Sequence, residues 1–259
     1  MISLLAAGVL SPFFLEVAPE VRTTYVSLGK LVEDRPMQMT FARVGCDAGG
    51  FGRFGIRSWS VSSLTDRRQN AHRHAFYHVE FGPTWQYSFD IADGWRVASE
   101  LTRSWTLYRG FDRQSANRTY HWWEVNQSLE NQYLVPYYRF RCCFRGSEYL
   151  WFRVGLRRRF PIFGGLYATP SVYADGGDPR NSRRVFGEAP DGCRWRAGVS
   201  SVTFRLELGW KVCESMTAFA FVEQYEIVGG DERRATDVSS YRCSRSDWTL
   251  GGMGMRFSF

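Results

Sequence analysis

Residues 247–259 read DWTLGGMGMRFSF. Side chains of an extended chain alternate between two faces. Met253, Met255, Phe257 and Phe259 therefore share one face, and Gly252, Gly254, Arg256 and Ser258 the other. That period of two predicts a strand, apolar on one side and bearing glycine and arginine on the other. A soluble sheet covers its apolar face with a second layer, whereas a closed barrel in a bilayer turns it to lipid.

The totals exclude one route across a membrane. No window holds the roughly 18–20 apolar residues that a spanning helix needs, and the apolar run 1–15 is broken by Ser3, Ser11 and Pro12 and stopped by Glu16. Aromatic residues make up 17% of the chain, yet mean hydropathy is −0.34. Such a balance suits a barrel whose lipid-facing residues are diluted one-to-one by lumen-facing ones, and a soluble β-sandwich has similar totals. Net charge is +7, from 33 basic and 26 acidic residues. The arginines recur at alternate strand positions rather than in runs, which argues for an interior lining and against nucleic acid as a partner. The six cysteines, Cys46, Cys142, Cys143, Cys193, Cys213 and Cys243, show no CxxC spacing, so neither a metal nor another cofactor is expected. Cys193 and Cys243 fall in two long loops and are the first pair to test for a disulfide.

Strand patterns run through the whole chain, and no helix is predicted. Twelve strands are expected over 17–28, 37–45, 52–62, 74–90, 95–109, 119–128, 132–144, 148–160, 165–175, 194–212, 215–228 and the final stretch. Connections after the even-numbered strands are short, including the Asp93-Gly94 hairpin signal, while most of the others are long and polar. An even strand count with short turns at one end and long loops at the other is the asymmetry of a transmembrane β-barrel. The fold class read here is all-β: a closed antiparallel up-and-down barrel of about twelve strands over residues 17–259, in one domain. Residues 1–16 are read either as the remnant of a secretory signal, with Ala6 and Gly8 near a cleavage point, or as an N-terminal segment; no Lys or Arg precedes Arg22.

Gly254, Phe257 and Phe259 resemble the terminal-strand signal of bacterial outer-membrane barrels: a glycine, then aromatics three and five positions on. Gly252 departs from the polar residue usual two before that glycine. The resemblance implies a bacterial outer-membrane location, the lipid bilayer and the barrel-assembly machinery as partners, and a monomer. Residues 25–36, with Tyr25-Val26, Gly29 and Asp34-Arg35-Pro36, resemble more loosely the first hairpin of uncharacterised outer-membrane barrels.

Phase decides what faces inward. An arginine on the lipid face costs roughly 2–4 kcal/mol at midplane, so Arg153, Arg157 and Arg159 are expected in the lumen and Leu150, Phe152, Val154 and Leu156 against lipid. The same logic places Arg53, Arg57, Arg96, Arg139, Arg141, Arg205, Lys211 and Arg256 inside, with Glu80, Glu100, Glu124, Glu207 and Glu226. Arg103 and Glu223 fall on apolar faces without explanation, Arg158 falls near the short-turn rim, and a bulge is expected around 200–202. Phe54, Phe89, Trp95, Phe160, Trp210, Phe257 and Phe259 form one aromatic girdle, and Tyr77, Trp105 and Phe144 the other.

Arg139, Arg141, Arg153, Arg157, Arg159 and Arg205, with Tyr137 and Trp151, make a basic-aromatic wall that attracts anions if the lumen conducts. The architecture resembles small twelve-stranded channels for acidic sugars and other small polar solutes, which implies a narrow diffusion channel. Two alternatives stay open. Opposed Arg and Glu side chains plug a structural barrel whose loops 176–192 and 229–246 serve surface recognition, or the barrel is a lipid-modifying enzyme. His72, His74, His78 and Glu80 are suggestive for the last, but alternate residues lie about 6.8 Å apart, too far for His74 and His78 to share a metal, and no catalytic residue is assigned.

Overall fold

The computed structural model describes residues 13–27, 30–33, 36–64, 77–92, 94–109, 119–145, 148–187, 189, 194–238 and 246–259. Its strands are β1 (Phe13–Arg22), β2 (Tyr25–Ser27), β3 (Lys30–Glu33), β4 (Met37–Asp47), β5 (Arg53–Ser63), β6 (Tyr77–Ala92), β7 (Trp95–Arg109), β8 (Thr119–Glu130), β9 (Val135–Arg145), β10 (Tyr149–Arg157), β11 (Phe160–Phe163), β12 (Leu166–Gly177), β13 (Gly198–Cys213), β14 (Met216–Ile227) and β15 (Asp247–Ser258). Each long strand pairs antiparallel with its neighbours in sequence. β10 and β11 both pair with β12 and form one broken stave, so the barrel has twelve staves. β1 and β15 close it, with Val17 opposite Phe257 and Val21 opposite Met253. At that seam Leu15 and Phe259 exchange two backbone hydrogen bonds of 2.9 Å.

Alternation sets the two faces, as the residue pattern requires. Phe54, Phe89, Trp95, Phe160, Trp210 and Phe259 are exposed on the outside towards the short-turn end. Phe257 stacks on Phe259, and Phe54 on Trp85. A soluble protein rarely leaves so continuous an apolar belt in water. Pairing of β12 with β13 slips between Asp175 and Gly176, opposite Ser200, the site of the expected bulge.

Four expectations need correction. The first strand begins at Phe13 and ends at Arg22, and Tyr25–Ser27 pairs with Lys30–Glu33 as a separate hairpin, β2–β3, whose Val26 packs against the inward-facing clusters that contain Tyr225 and Leu250. Two helices exist where none was predicted: α1 (Pro179–Phe186) and α2 (Gly230–Val238). Asp178 caps α1 by accepting from the Asn181 amide at 2.8 Å, and Pro179 suits the first turn. With only eight residues, α1 is too short to show a helical period.

The third and fourth corrections concern β14, whose phase is inverted. Phe219, Phe221, Glu223, Tyr225 and Ile227 are buried inside, while Ala220, Val222 and Glu226 face outward. Glu223 is therefore a lumen residue and Glu226 is not; Glu226 accepts from Arg233 at 2.8 Å outside the lumen. Apolarity misled because the inward rings serve as platforms for guanidinium groups. Arg205 lies 3.8 Å above Phe221, and Arg256 lies 4.1 Å above Phe219. The glycines of β15 make room for these rings. A Cβ on Gly252 would meet the Phe221 ring at 2.5 Å, and one on Gly254 the Phe219 ring at 2.8 Å.

Candidate functional site

The lumen is polar in its middle and at its short-turn end, and apolar towards the long loops. At the long-loop end Met37, Met39 and Val61 form one inward cluster, and Trp122, Cys143, Tyr149 and Trp151 a second. A third joins Val185, Phe186, Tyr225, Ile227 and Ala235. Helix α1 belongs to this third cluster while its Arg184 guanidinium lies 4.3 Å from the Tyr120 ring and 5.0 Å from Tyr149. Ser182 donates to Glu232 of α2 at 3.0 Å. The helices thus lean across the lumen from β14 towards β8 and β10.

Below them lies a cavity of about 980 Å³ that brings together all eight residues of the expected wall. Tyr137, Arg139 and Arg141 come from β9, Trp151, Arg153 and Arg157 from β10, Arg159 from the break before β11, and Arg205 from β13. Adjacent pairing explains the clustering: Arg153 lies opposite Arg139, and Trp151 opposite Arg141. Trp151 is the hub, with the Arg139, Arg141 and Arg153 guanidinium groups 5.6, 5.7 and 5.5 Å from its centroid. Trp151 and Arg141 are themselves buried, so they support the wall rather than form its surface. A second cavity of about 820 Å³ shares Tyr137, Arg139, Arg153 and Arg157 with the first, and continues to the short-turn mouth at Asp47, Gly49 and Ser88.

Most of these cations have carboxylate partners. Glu124 accepts from Arg57 at 2.7 Å, Arg139 at 2.7 Å and Arg141 at 2.8 and 2.9 Å. Arg43 binds Glu16 and Glu100, and Arg57 also binds Glu100. Because Arg57 is on β5 and Glu124 on β8, this network cuts a short chord along one side of the lumen. Arg153 pairs with Asp175 in a fork of 2.7 and 3.0 Å, and Glu207 holds Arg205 and Arg256. Ten arginines line the first cavity. Arg22 and Arg43 were not among the expected set, nor were the inward carboxylates Glu16, Glu20, Glu130, Asp175 and Glu223. On these residues the expected excess of six positive charges falls to four.

Exposure separates the two signs in part, for Glu130 in the same cavity is 37% exposed while Arg57 and Arg141 are 10% exposed. Side-chain exposure is 0% for Glu124 and 1% for Asp175, against 49% for Arg157, 40% for Arg256, 32% for Arg139 and 26% for Arg153. Arg159 is exposed, lies 4.1 Å above Tyr167, and has no carboxylate partner among the described residues. Tyr173, not singled out from sequence, lies 3.9 Å beneath Arg153. Tyr137 and Tyr173 both press on Gly155, and Tyr167 on Gly209, where a Cβ would fall 2.2–2.8 Å from their atoms. Glu124 and Asp175 sit behind, and Arg139, Arg157, Arg159 and Arg256 face the water.

Set against solved structures, this architecture has clear counterparts. The KdgM porin matches with a TM-score of 0.51 at 9% identity, over 95% of this chain and 99% of that one. The NanC porin matches at 0.50 and 12%, over 94% and 98%. An outer membrane channel from Pseudomonas putida F1 matches at 0.58 and 9%, over 96% of each chain. The fold is that of a small outer-membrane barrel. No protein-family profile matches the chain, and no curated protein matches it.

The histidines weighed for catalysis part company. His72 and His74 lie outside the described residues, as do Cys193 and Cys243. His78 is buried in the inner wall, 3.0 Å from a Glu80 oxygen and edge-on to Trp59. No group of His, Cys, Asp and Glu suited to a metal occurs among the described residues.

Proposed function

We propose that this barrel resides in the bacterial outer membrane as a monomeric, narrow diffusion channel that favours small anionic or polar solutes. One observation carries the reading: the water-facing charge of the cavity is net positive, because Arg139, Arg153, Arg157, Arg159 and Arg256 face it against Glu130 as the comparably open acid, while Glu124 and Asp175 are sealed behind them. Low-dielectric walls focus the field of such groups, so an anion entering the lumen meets attraction at each step. Tyr137, packed over Gly155 in the cavity wall, adds a platform for the apolar face of a sugar-like solute. A barrel of the same design supports the choice of solute class, for the KdgM porin has been solved in complex with disordered oligogalacturonate, a chain of carboxylated sugars.

Planar-bilayer recording across a salt gradient tests the proposal. Conductance with a reversal potential on the anion side is expected, and the double change Arg157→Gln with Arg159→Gln moves that potential towards zero. Cation preference, or no conductance at any voltage, overturns the channel reading. The ion-paired chord from Arg57 to Glu124 favours a second reading, a plugged structural barrel, which predicts silence in the same recording.

A further inference from the structure

On the outer surface of the described residues, Arg103 is a cation that no carboxylate compensates. On β7, Thr102, Ser104 and Thr106 are buried inside, so Arg103 points outward. Its guanidinium lies 5.4 Å from the Trp105 ring, 5.6 Å from Trp123 and 5.9 Å from Phe144. The Arg103 Nε is shielded from solvent and has no hydrogen-bond partner. No carboxylate pairs with this arginine among the described residues. Two further basic side chains adjoin it. The His121 ring packs against Trp105 at 6.3 Å and Phe144 at 6.0 Å, and Arg145 is exposed directly across the strand pair from His121. Along β6 to β9 the acids Glu80, Glu100, Glu124 and Glu130 all share the inward phase, so among the described residues of these strands no glutamate faces the three.

Height along the barrel selects the ligand. Arg103 follows Trp95 of the lower girdle by eight residues. At about 3.3 Å per residue and a tilt of about 40° this is about 20 Å, in an apolar band about 25 Å tall. The guanidinium therefore sits just beneath the headgroup boundary of the leaflet at the long-loop end, within reach of a headgroup and out of reach of the lumen. Its planar fork matches a phosphate bidentately, and the surrounding rings present an apolar floor to acyl chains.

We infer that Arg103, His121 and Arg145 form a binding site for the phosphate of an anionic lipid headgroup, packed on Trp105, Trp123 and Phe144. The site rests on the membrane placement proposed above, but not on the lumen.

Native mass spectrometry of the detergent-solubilised full chain tests it with lipid A, a bisphosphorylated diglucosamine lipid, and with the same lipid after enzymatic removal of its phosphates. The wild-type protein is expected to retain the phosphorylated form at least about fivefold more strongly than the phosphate-free form, the contribution of one arginine near a charged lipid surface. Arg103→Gln should erase that difference, and Arg103→Lys, which keeps the charge but loses the fork, should restore only part of it. Inorganic phosphate in hundredfold excess should not displace the lipid. Equal retention of both forms by the wild type, an unchanged difference in Arg103→Gln, or displacement by inorganic phosphate each overturns the site. Conductance is scored on the same variants, because Arg103 does not face the lumen. A protein that conducts but does not discriminate the two lipids refutes the site and leaves the channel standing.

Discussion

Replacing Glu124 by glutamine tests the electrostatic architecture of the lumen at its most connected point. The carboxylate is wholly buried and accepts four hydrogen bonds of 2.7–2.9 Å from three arginines. In Glu124→Gln one oxygen remains, and the new amide nitrogen presents its hydrogens to guanidinium donors. The consequences differ among the partners. Arg57 retains Glu100 at 2.9 Å, Arg141 retains only Glu80 at 3.8 Å, and Arg139 has no other carboxylate among the described residues. Removing one member of a buried ion pair costs about 3–5 kcal/mol. Arg139 is part-exposed and Arg57 stays paired, so the lower end applies, about 3 kcal/mol. Urea unfolding of the detergent-held barrel, followed by tryptophan fluorescence, reads this as a fall in midpoint at constant slope. Adding Arg139→Gln should recover about 1 kcal/mol, within the coupling range of contacting residues. The same single change removes a negative charge from the wall, so anion preference should rise. A loss below about 0.5 kcal/mol, with no coupling to Arg139, would refute the view that the carboxylates hold the arginine wall in place.

Other expectations follow from the seam and the glycine contacts. Deleting Phe259 removes two backbone hydrogen bonds to Leu15 at the barrel closure and a girdle ring; membrane assembly in cells should fall before any transport changes, as read by heat-modifiable gel mobility. Gly254→Ala places a Cβ 2.4 Å from the Pro19 carbonyl oxygen and 2.8 Å from the Phe219 ring, and should cost about 1–3 kcal/mol in the urea assay. Gly209→Ala meets Tyr167 at 2.2 Å; it should swing that ring from beneath Arg159 and alter single-channel conductance more than stability.

The elements differ in how legible they were. Along β10 and β13 the residue types sort cleanly into apolar and charged faces, so phase, lumen arginines and outward leucines were readable directly. β14 defeated the same reading because Phe219, Phe221 and Tyr225 are apolar residues used inside. The signal that could have placed them lies on the neighbouring strand, where Gly252 and Gly254 leave space on the inward face. Glu223 was misplaced with them, and Glu16 was missed because the first strand begins at Phe13; Glu20, Arg22 and Arg43 lie within the expected strands 17–28 and 37–45 but were not assigned to the lumen. Arg103 was placed on the outer face correctly, but its reason appears only when Trp123 and Phe144 arrive from β8 and β9.

Local alternation, turn lengths and the aromatic ends of the strands were enough to determine a twelve-stave barrel and the sign of its two surfaces. Those properties depend on side chains one or two residues apart, which the covalent chain itself arranges. Which carboxylate neutralises which arginine was decided only by the closed barrel. Arg57 and Glu124 are 67 residues apart, and they meet because curvature brings β5 and β8 to one side of the lumen. Closure is also what seals Glu124 from water and leaves Arg157 and Arg159 facing it, a difference in solvation that no pattern along the chain encodes.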